Sequence, residues 1–262
     1  MPSEVFSVPQ AVQLGQFVLA AYDLHEEGDP TNFVPPAGYN LISKIYADDI
    51  TNDPVAATVF GFIAQSDSDV VVAIRGTEGV LEWLLDFEFA LVPFPYLSAG
   101  NVEAGFNDCY SSFRTGKADA APRVVDALAR VIAGGTAETL LIAGHSLGAA
   151  LATLLAIDLA ANGGFAAPVV YTFASPRVGD KVFAGTYGSL IQTSWRIANR
   201  RDIVPSLPPE SLGYVHVKTE YEIDSADRCK QNVRCWHALE TYLNTLDPSV
   251  ALQPQCVPRP KP

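Results

Sequence analysis

The sequence predicts an α/β fold in a single domain over residues 1–262, with a mostly parallel central sheet covered by helices on both faces. Three observations carry this expectation. Val70-Val71-Val72-Ala73-Ile74 is a nearly continuous β-branched run, the composition of a strand buried on both faces. Further strand-like runs alternate with stretches of helical period. No internal repeat and no linker-like change of composition divides the chain.

The elements follow in order. A first helix is expected from Val8 to Tyr22, where Leu14, Phe17, Val18 and Ala21 repeat at helical spacing and Pro9 suits the first turn. Residues 23–39, rich in Pro, Gly and Asp, read as loop. Tyr39–Tyr46 and Thr58–Ile63 read as strands, followed by the Val70–Ile74 run. Ala121–Ile132 has Val124, Val125, Leu128 and Ile132 on one side of a helix. Thr139–Ala143, Val169–Phe173 and, more weakly, Ser194–Ala198 read as strands. Between the first two of these, Leu147–Ala160 is rich in Ala and Leu and stops at Asn162-Gly163-Gly164. Leu239, Tyr242, Leu243 and Leu246 form the stripe of a last helix. The tail from about residue 248, which ends in Pro258-Arg259-Pro260-Lys261-Pro262, is expected to fray.

Bulk properties remove several classes of function. The formal net charge is −12, from 29 acidic and 17 basic residues. Arg200-Arg201, the densest basic cluster, is flanked by Asn199 and Asp202, so nothing neutralises a run of phosphates and nucleic-acid binding is not expected. Anionic membranes should repel the protein, whereas a neutral oil surface would not. No run of 18 apolar residues is present, so no transmembrane segment is expected. Cys109, Cys229, Cys235 and Cys256 share no metal-site spacing with the four histidines, and neither metal nor organic cofactor is expected. Cys229 and Cys235 enclose a short polar loop that a local disulfide would close; free thiols are the equal alternative. The first 15 residues lack a basic start and a long apolar stretch. The expected location is therefore outside the cell for a mature form and the cytoplasm otherwise. A monomer is expected.

The segment that carries chemistry is Gly144-His145-Ser146-Leu147-Gly148, between a strand and an Ala-rich helix. Glycines two before and two after the serine permit a tight strand-to-helix turn that exposes its hydroxyl. Ser146 would stand at the carboxyl end of a parallel sheet, with helix N–H groups facing any developing oxyanion. A serine hydroxyl needs a neighbouring base to attack at neutral pH. Of the four histidines, His145 adjoins the serine and is expected to pack elsewhere, and His25 lies far upstream. His237, before the last helix, is the preferred base, and His216, in the strand-like Tyr214–Val217, is its rival. Asp202, just past the Ser194–Ala198 strand, is the preferred orienting carboxylate; Asp180 is its rival, with Asp224 and Asp227 too close to His237 in sequence.

Taken together, these stretches resemble the class 3 lipases, which include filamentous-fungal triacylglycerol lipases and feruloyl esterases. The likeness spans about residues 55–247 and rests on Val72-Ala73-Ile74-Arg75-Gly76-Thr77, Gly144-His145-Ser146-Leu147-Gly148-Ala149-Ala150, Ala174-Ser175-Pro176-Arg177-Val178-Gly179-Asp180 and Asn199-Arg200-Arg201-Asp202-Ile203-Val204-Pro205-Ser206-Leu207-Pro208-Pro209. The resemblance implies an α/β-hydrolase fold and an oxyanion hole made by the backbone N–H groups of Thr77 and Leu147. It implies ester hydrolysis through an acyl-enzyme, with triacylglycerol at an oil–water interface as the expected substrate. An open-site esterase or feruloyl esterase, a phospholipase and a silent binding module are the alternatives. Residues 79–92 are expected to form an amphipathic helical lid. Glu78, Glu82 and Asp86 would share one face, with Trp83, Leu84, Leu85, Phe87 and Phe89 around it, and the family's lids occupy this place. The chain departs from the family where Glu103 stands in place of a frequent histidine, and where Glu220-Tyr221-Glu222-Ile223 replaces a Tyr-Trp pair.

Overall fold

The computed structural model describes residues 5–48, 57–77, 89–118, 120–134, 139–163, 168–217 and 219–258. The chain enters through α1 (Val8–Glu26), where Ser7 Oγ accepts from the Gln10 N–H at 3.3 Å. The helix continues past Tyr22 because Leu24 extends the buried stripe of Leu14, Phe17, Val18 and Ala21. The loop expected from residue 23 therefore starts only after Glu26.

The described strands are β1 (Asn40–Asp48), β2 (Ala57–Gln65), β3 (Asp69–Ile74), β4 (Leu91–Pro93), β5 (Asn101–Glu103), β6 (Thr139–His145), β7 (Val169–Phe173), β8 (Gly179–Asp180), β9 (Ser194–Asn199), β10 (Tyr214–Val215) and β11 (Glu220–Ile223). A seven-stranded sheet has the order β1-β2-β3-β6-β7-β9-β11. The strands from β3 onward in that order are parallel, and β1 and β2 join antiparallel at one edge. A smaller sheet has the order β10-β8-β5-β4.

Both faces of the main sheet are covered, which accounts for the unbroken apolar runs. Val70, Val72 and Ile74 of β3, with Leu140 and Ile142 of β6, point into one core. That core is completed by α2 (Ala104–Ser111), α3 (Val124–Gly134), α4 (Leu147–Asn162) and α5 (Lys181–Leu190). Val71 and Ala73, with Leu141 and Ala143, point the other way, against α1 and the last helix. A short helix, α6 (Val233–His237), precedes that last helix, α7 (Leu239–Leu246). This period-2 split, repeated in adjacent strands, makes the sheet the middle of three layers.

Several expectations are corrected. α3 starts at Val124 rather than Ala121, because Arg123 forms an isolated bridge with Arg114 in the approach to it. Cys235 pairs with Cys256, while Cys109 and Cys229 are buried and take no part in that disulfide, so the expected Cys229–Cys235 loop is not closed. The tail is consequently held rather than frayed as far as it is described. Cys256 is fixed by the disulfide, its carbonyl accepts from the Lys230 N–H at 2.8 Å, and Gln253 Nε2 donates to Glu240 at 3.0 Å. Most of the expected lid, residues 79–88, lies outside the described residues. Its expected end at Val92 does not hold, because Leu91 and Val92 belong to β4, paired antiparallel with β5.

Candidate active site

The turn from β6 into α4 is set by close packing. A Cβ on Gly144 would fall 2.2 Å from the Gly148 carbonyl oxygen, and one on Gly148 would fall 2.3 Å from that of Arg75. Only hydrogen fits at either place. Ser146 between them has φ 58° and ψ −123°, a conformation that a non-glycine residue adopts only when its surroundings enforce it. Its N–H donates to the Phe173 carbonyl on β7 at 2.9 Å, which ties the turn to the neighbouring strand. Leu147 opens α4, so its N–H is among those the helix itself leaves unpaired.

The structure brings Ser146, His237 and Asp202 together. His237 Nδ1 lies 2.7 Å from Asp202 Oδ2 and Nε2 lies 2.9 Å from Ser146 Oγ. An ionised carboxylate only accepts, so Nδ1 carries the imidazole proton and Nε2 is left to accept from the serine hydroxyl. His237 ends α6 instead of starting α7. Ala238, at φ −57° and ψ 132°, breaks the helix immediately after it. Ser146 has no exposed surface, and Asp202 and His237 are 7% exposed.

Asp202 is enclosed, yet it has partners on both oxygens. Oδ1 accepts from the Val204 N–H at 3.0 Å, and Oδ2 accepts from Tyr242 Oη at 2.7 Å as well as from His237. Burial alone would raise its pKa; His237 and these hydrogen bonds prevail and hold it below the usual carboxylate range. Thr77 follows Gly76 at the end of β3 and lines a cleft of about 440 Å³ that also touches His145 and His237. A Cβ on Gly76 would lie 3.0 Å from Ser146 Cβ, so the Gly76-Thr77 turn is packed directly on the elbow.

The rival residues are occupied elsewhere. His216 Nε2 donates to the Pro205 carbonyl at 2.6 Å, beside the short β10. His25 lies on α1, not in a loop, with Nδ1 3.3 Å from Thr58 Oγ1. Asp180 caps α5, accepting from the Phe183 N–H at 2.8 Å, and Asp224 pairs with Arg201 at 3.0 Å. Of the large side chains expected around the lid's acidic stripe, Phe89 is described; its ring packs edge-on at 6.4 Å from that of Tyr214. Glu82, Trp83, Leu84, Leu85 and Phe87 lie outside the described residues.

With this geometry in view, comparison with known proteins is decisive: residues 71–212 match the class 3 lipase model, more than half of the chain. The chain belongs to the class 3 lipases. It is 35% identical over 219 residues to phospholipase A1-II 7 of Oryza sativa subsp. indica, covering 72% of this chain and 53% of that one. It is 36% identical over 176 residues to the secreted mono- and diacylglycerol lipase A of Penicillium camembertii, covering 66% and 55% respectively. The chain spans about half the length of the curated relatives it matches. Among solved structures, an MDLA variant from Penicillium cyclopium superposes with TM-score 0.68 at 28% identity, covering 88% of this chain and 86% of that one. The Rhizomucor miehei triacylglyceride lipase gives 0.67 at 25%, covering 82% and 80%. The fold is the α/β-hydrolase fold of these neighbours.

In this class 3 lipase two tyrosines escaped the sequence reading. Tyr242 was visible only as part of an apolar stripe, and Tyr22 only as the end of a helix. The first donates to Asp202 and accepts from the Asn199 N–H at 3.2 Å. The second accepts from the Gly76 N–H at 2.9 Å and lies 2.8 Å from His145 Nδ1. His145 is thus hydrogen-bonded rather than merely packed. The one signal for Tyr242 was its place five residues after His237, on the side of α7 that faces the core.

Proposed function

We propose that this class 3 lipase hydrolyses carboxylic esters of glycerolipids, with Ser146 as nucleophile, His237 as general base and acid, and Asp202 as the group that orients and stabilises the imidazole. The observation that carries the reading is the unbroken chain Ser146 Oγ to His237 to Asp202, at 2.9 and 2.7 Å, on a strained turn that glycine alone permits. His237 Nε2 takes the serine proton as Oγ attacks the acyl carbonyl. The N–H groups of Thr77 and Leu147 receive the oxyanion, and each such donor is typically worth about 3 kcal/mol in the transition state. His237 then protonates the leaving alcohol, and water repeats the cycle to free the acid.

Within this class, triacylglycerol at an interface is the substrate we favour. The complete burial of Ser146 supports it, since an ester reaches Oγ only after something covering it moves. The sequence assigns that movement to the lid segment beginning at Gly79. A phospholipase A1 reading is the second choice, favoured by the similarity to the phospholipases A1-II of rice.

The deciding experiment is labelling with an organophosphonate followed by peptide mapping, beside rates on p-nitrophenyl esters, emulsified triacylglycerol and phosphatidylcholine vesicles. Modification should map to Ser146, and His237→Ala should nearly abolish it. An unlabelled parent protein, with and without lipid surface, would remove the enzyme reading. Activity that rises smoothly through the substrate's solubility limit, unchanged by Trp83→Ser and Phe87→Ser, would remove interfacial activation.

A further inference from the structure

The buried groups around Gly76 form one connected chain of hydrogen bonds. Arg75 lies inside the protein, 1% exposed, with its guanidinium carbon 4.5 Å above the Phe60 ring. Its Nε donates to the Val59 carbonyl at 2.8 Å and its Nη1 to the Gly76 carbonyl at 2.6 Å. In a trans peptide the C=O and the following N–H point in opposite directions. With the Gly76 oxygen held toward Arg75, the Thr77 N–H faces away from it. The other side of Gly76 is held as well, because its own N–H donates to Tyr22 Oη at 2.9 Å. The turn is closely packed and has no room for a side chain: a Cβ on Gly76 would lie 2.7 Å from Tyr22 Oη and 2.9 Å from the His145 carbonyl oxygen.

From Tyr22 the chain continues to the base. His145 Nε2 is 2.9 Å from the His237 carbonyl oxygen, which can only accept, so Nε2 carries the proton. His145 Nδ1 is then the unprotonated nitrogen, and it accepts from the Tyr22 hydroxyl at 2.8 Å. Every direction in the chain is fixed: Gly76 N–H to Tyr22 oxygen, Tyr22 O–H to His145 Nδ1, His145 Nε2–H to His237 carbonyl. Burial and the neighbouring His237 push the His145 pKa down to about 3, so the ring stays neutral and keeps this tautomer. The His145 and His237 rings lie 4.8 Å apart at 39°, so the relay also backs the face of the base.

We propose that Tyr22 is a positioning residue that sets the oxyanion turn and the general base relative to one another, acting on Thr77 through Gly76 and on His237 through His145. This rests on the reading of Ser146 and His237 as the ester-cleaving pair. A group that tunes transition-state geometry should affect turnover more than substrate binding, because small displacements of aligned groups cost rate steeply.

The test is Tyr22→Phe, which keeps the ring and removes the hydroxyl, assayed on soluble p-nitrophenyl butyrate. Turnover should fall about thirtyfold while KM changes less than about twofold, and the inhibition constant of an alkyl boronic acid should weaken by the same factor as kcat/KM. His145→Leu breaks the same chain and should lose a similar amount. His145→Gln, which retains one acceptor and one donor, should recover most of that loss. The double variant Tyr22→Phe with His145→Leu should be no more than about twofold worse than either single one, as expected for members of one unit. The proposal is overturned if Tyr22→Phe keeps kcat and boronic-acid affinity within twofold of the parent, or if it raises KM alone. Equal loss in His145→Gln and His145→Leu also overturns it, and this pair decides the matter if Tyr22→Phe does not fold. A parent that neither turns over the ester nor labels at Ser146 fails the functional reading itself, a result distinct from all of these.

Discussion

Tyr242 Oη and His237 Nδ1 both donate to the same oxygen of Asp202, each at 2.7 Å. A carboxylate in a nearly solvent-free place is thereby stabilised by a neutral donor from the last helix in addition to the imidazole. Removing the two groups should have unequal effects. Tyr242→Phe leaves the Asp202–His237 bond intact and takes away one donor, so kcat/KM should fall about three- to tenfold with the Ser146 label retained. Asp202→Asn places an amide where Nδ1–H needs an acceptor and favours the wrong tautomer, and should cost on the order of 10⁴ in kcat. Steady-state kinetics on a soluble ester distinguish them; equal losses would show that Tyr242 and Asp202 do not act as described.

Glu103 is the clearest departure from the family's sequence pattern, and the structure makes it a pH-dependent burden. Its Oε2 accepts from the Phe106 N–H at 2.7 Å and caps α2, while Oε1 is buried with no hydrogen-bond partner among the described residues. Burial, only partly offset by the N–H groups of α2, raises its pKa to about 7. A carboxyl with a raised folded pKa binds protons more tightly in the folded state, so stability is lost as pH rises from about 4.5 through 7. Glu103→Gln keeps the cap acceptor and removes the titration. At pH 8 it should be more stable than the parent by on the order of 2 kcal/mol, read as a higher thermal midpoint, and the gap should close below about pH 4.5. A constant gap across that range would refute the assignment.

His216 acts in the opposite sense. Burial, with Arg196 nearby, pushes its pKa down to about 3. In acid the unfolded chain takes up this proton first, so the associated stability is complete above about pH 6.5 and is lost as pH falls toward 3. The slope is at most about 1.4 kcal/mol per pH unit, less for residual solvent contact. His216→Gln should flatten the acid side of a stability–pH curve measured by urea unfolding. An unchanged acid slope would show that His216 titrates normally.

The Cys235–Cys256 bond makes a covalent prediction. Peptide mapping without reduction should recover that pair, with Cys109 and Cys229 alkylated only after unfolding. Cys256→Ala should lower stability by about 2–4 kcal/mol. It should also loosen the Gln253 contact with Glu240, which lines the cleft beside His237. A mapped Cys229–Cys235 link would overturn the pairing.

The sequence by itself determined the strands that bury both faces, the Ala-rich helix after Ser146, and the turn between them. These follow from local rules: side-chain period, β-branching, and the exclusion of a Cβ at Gly144 and Gly148. Asp202 was legible as a candidate because a residue just past a parallel strand must emerge at the same sheet edge as Ser146, and His237 because the other three histidines were less suited to reach that edge; the structure brings both beside Ser146. Tertiary structure alone decided the rest. Which cysteines pair, whether the tail is held, and where Leu91 and Val92 belong all depend on distant neighbours. The Tyr22–His145 and Tyr242–Asp202 bonds join residues 123 and 40 positions apart. On a helix, a tyrosine ring meets the same apolar demand as phenylalanine. Its hydroxyl acquires a partner only when sheet order brings α1 and α7 together on one face, over the carboxyl ends of β3 and β6.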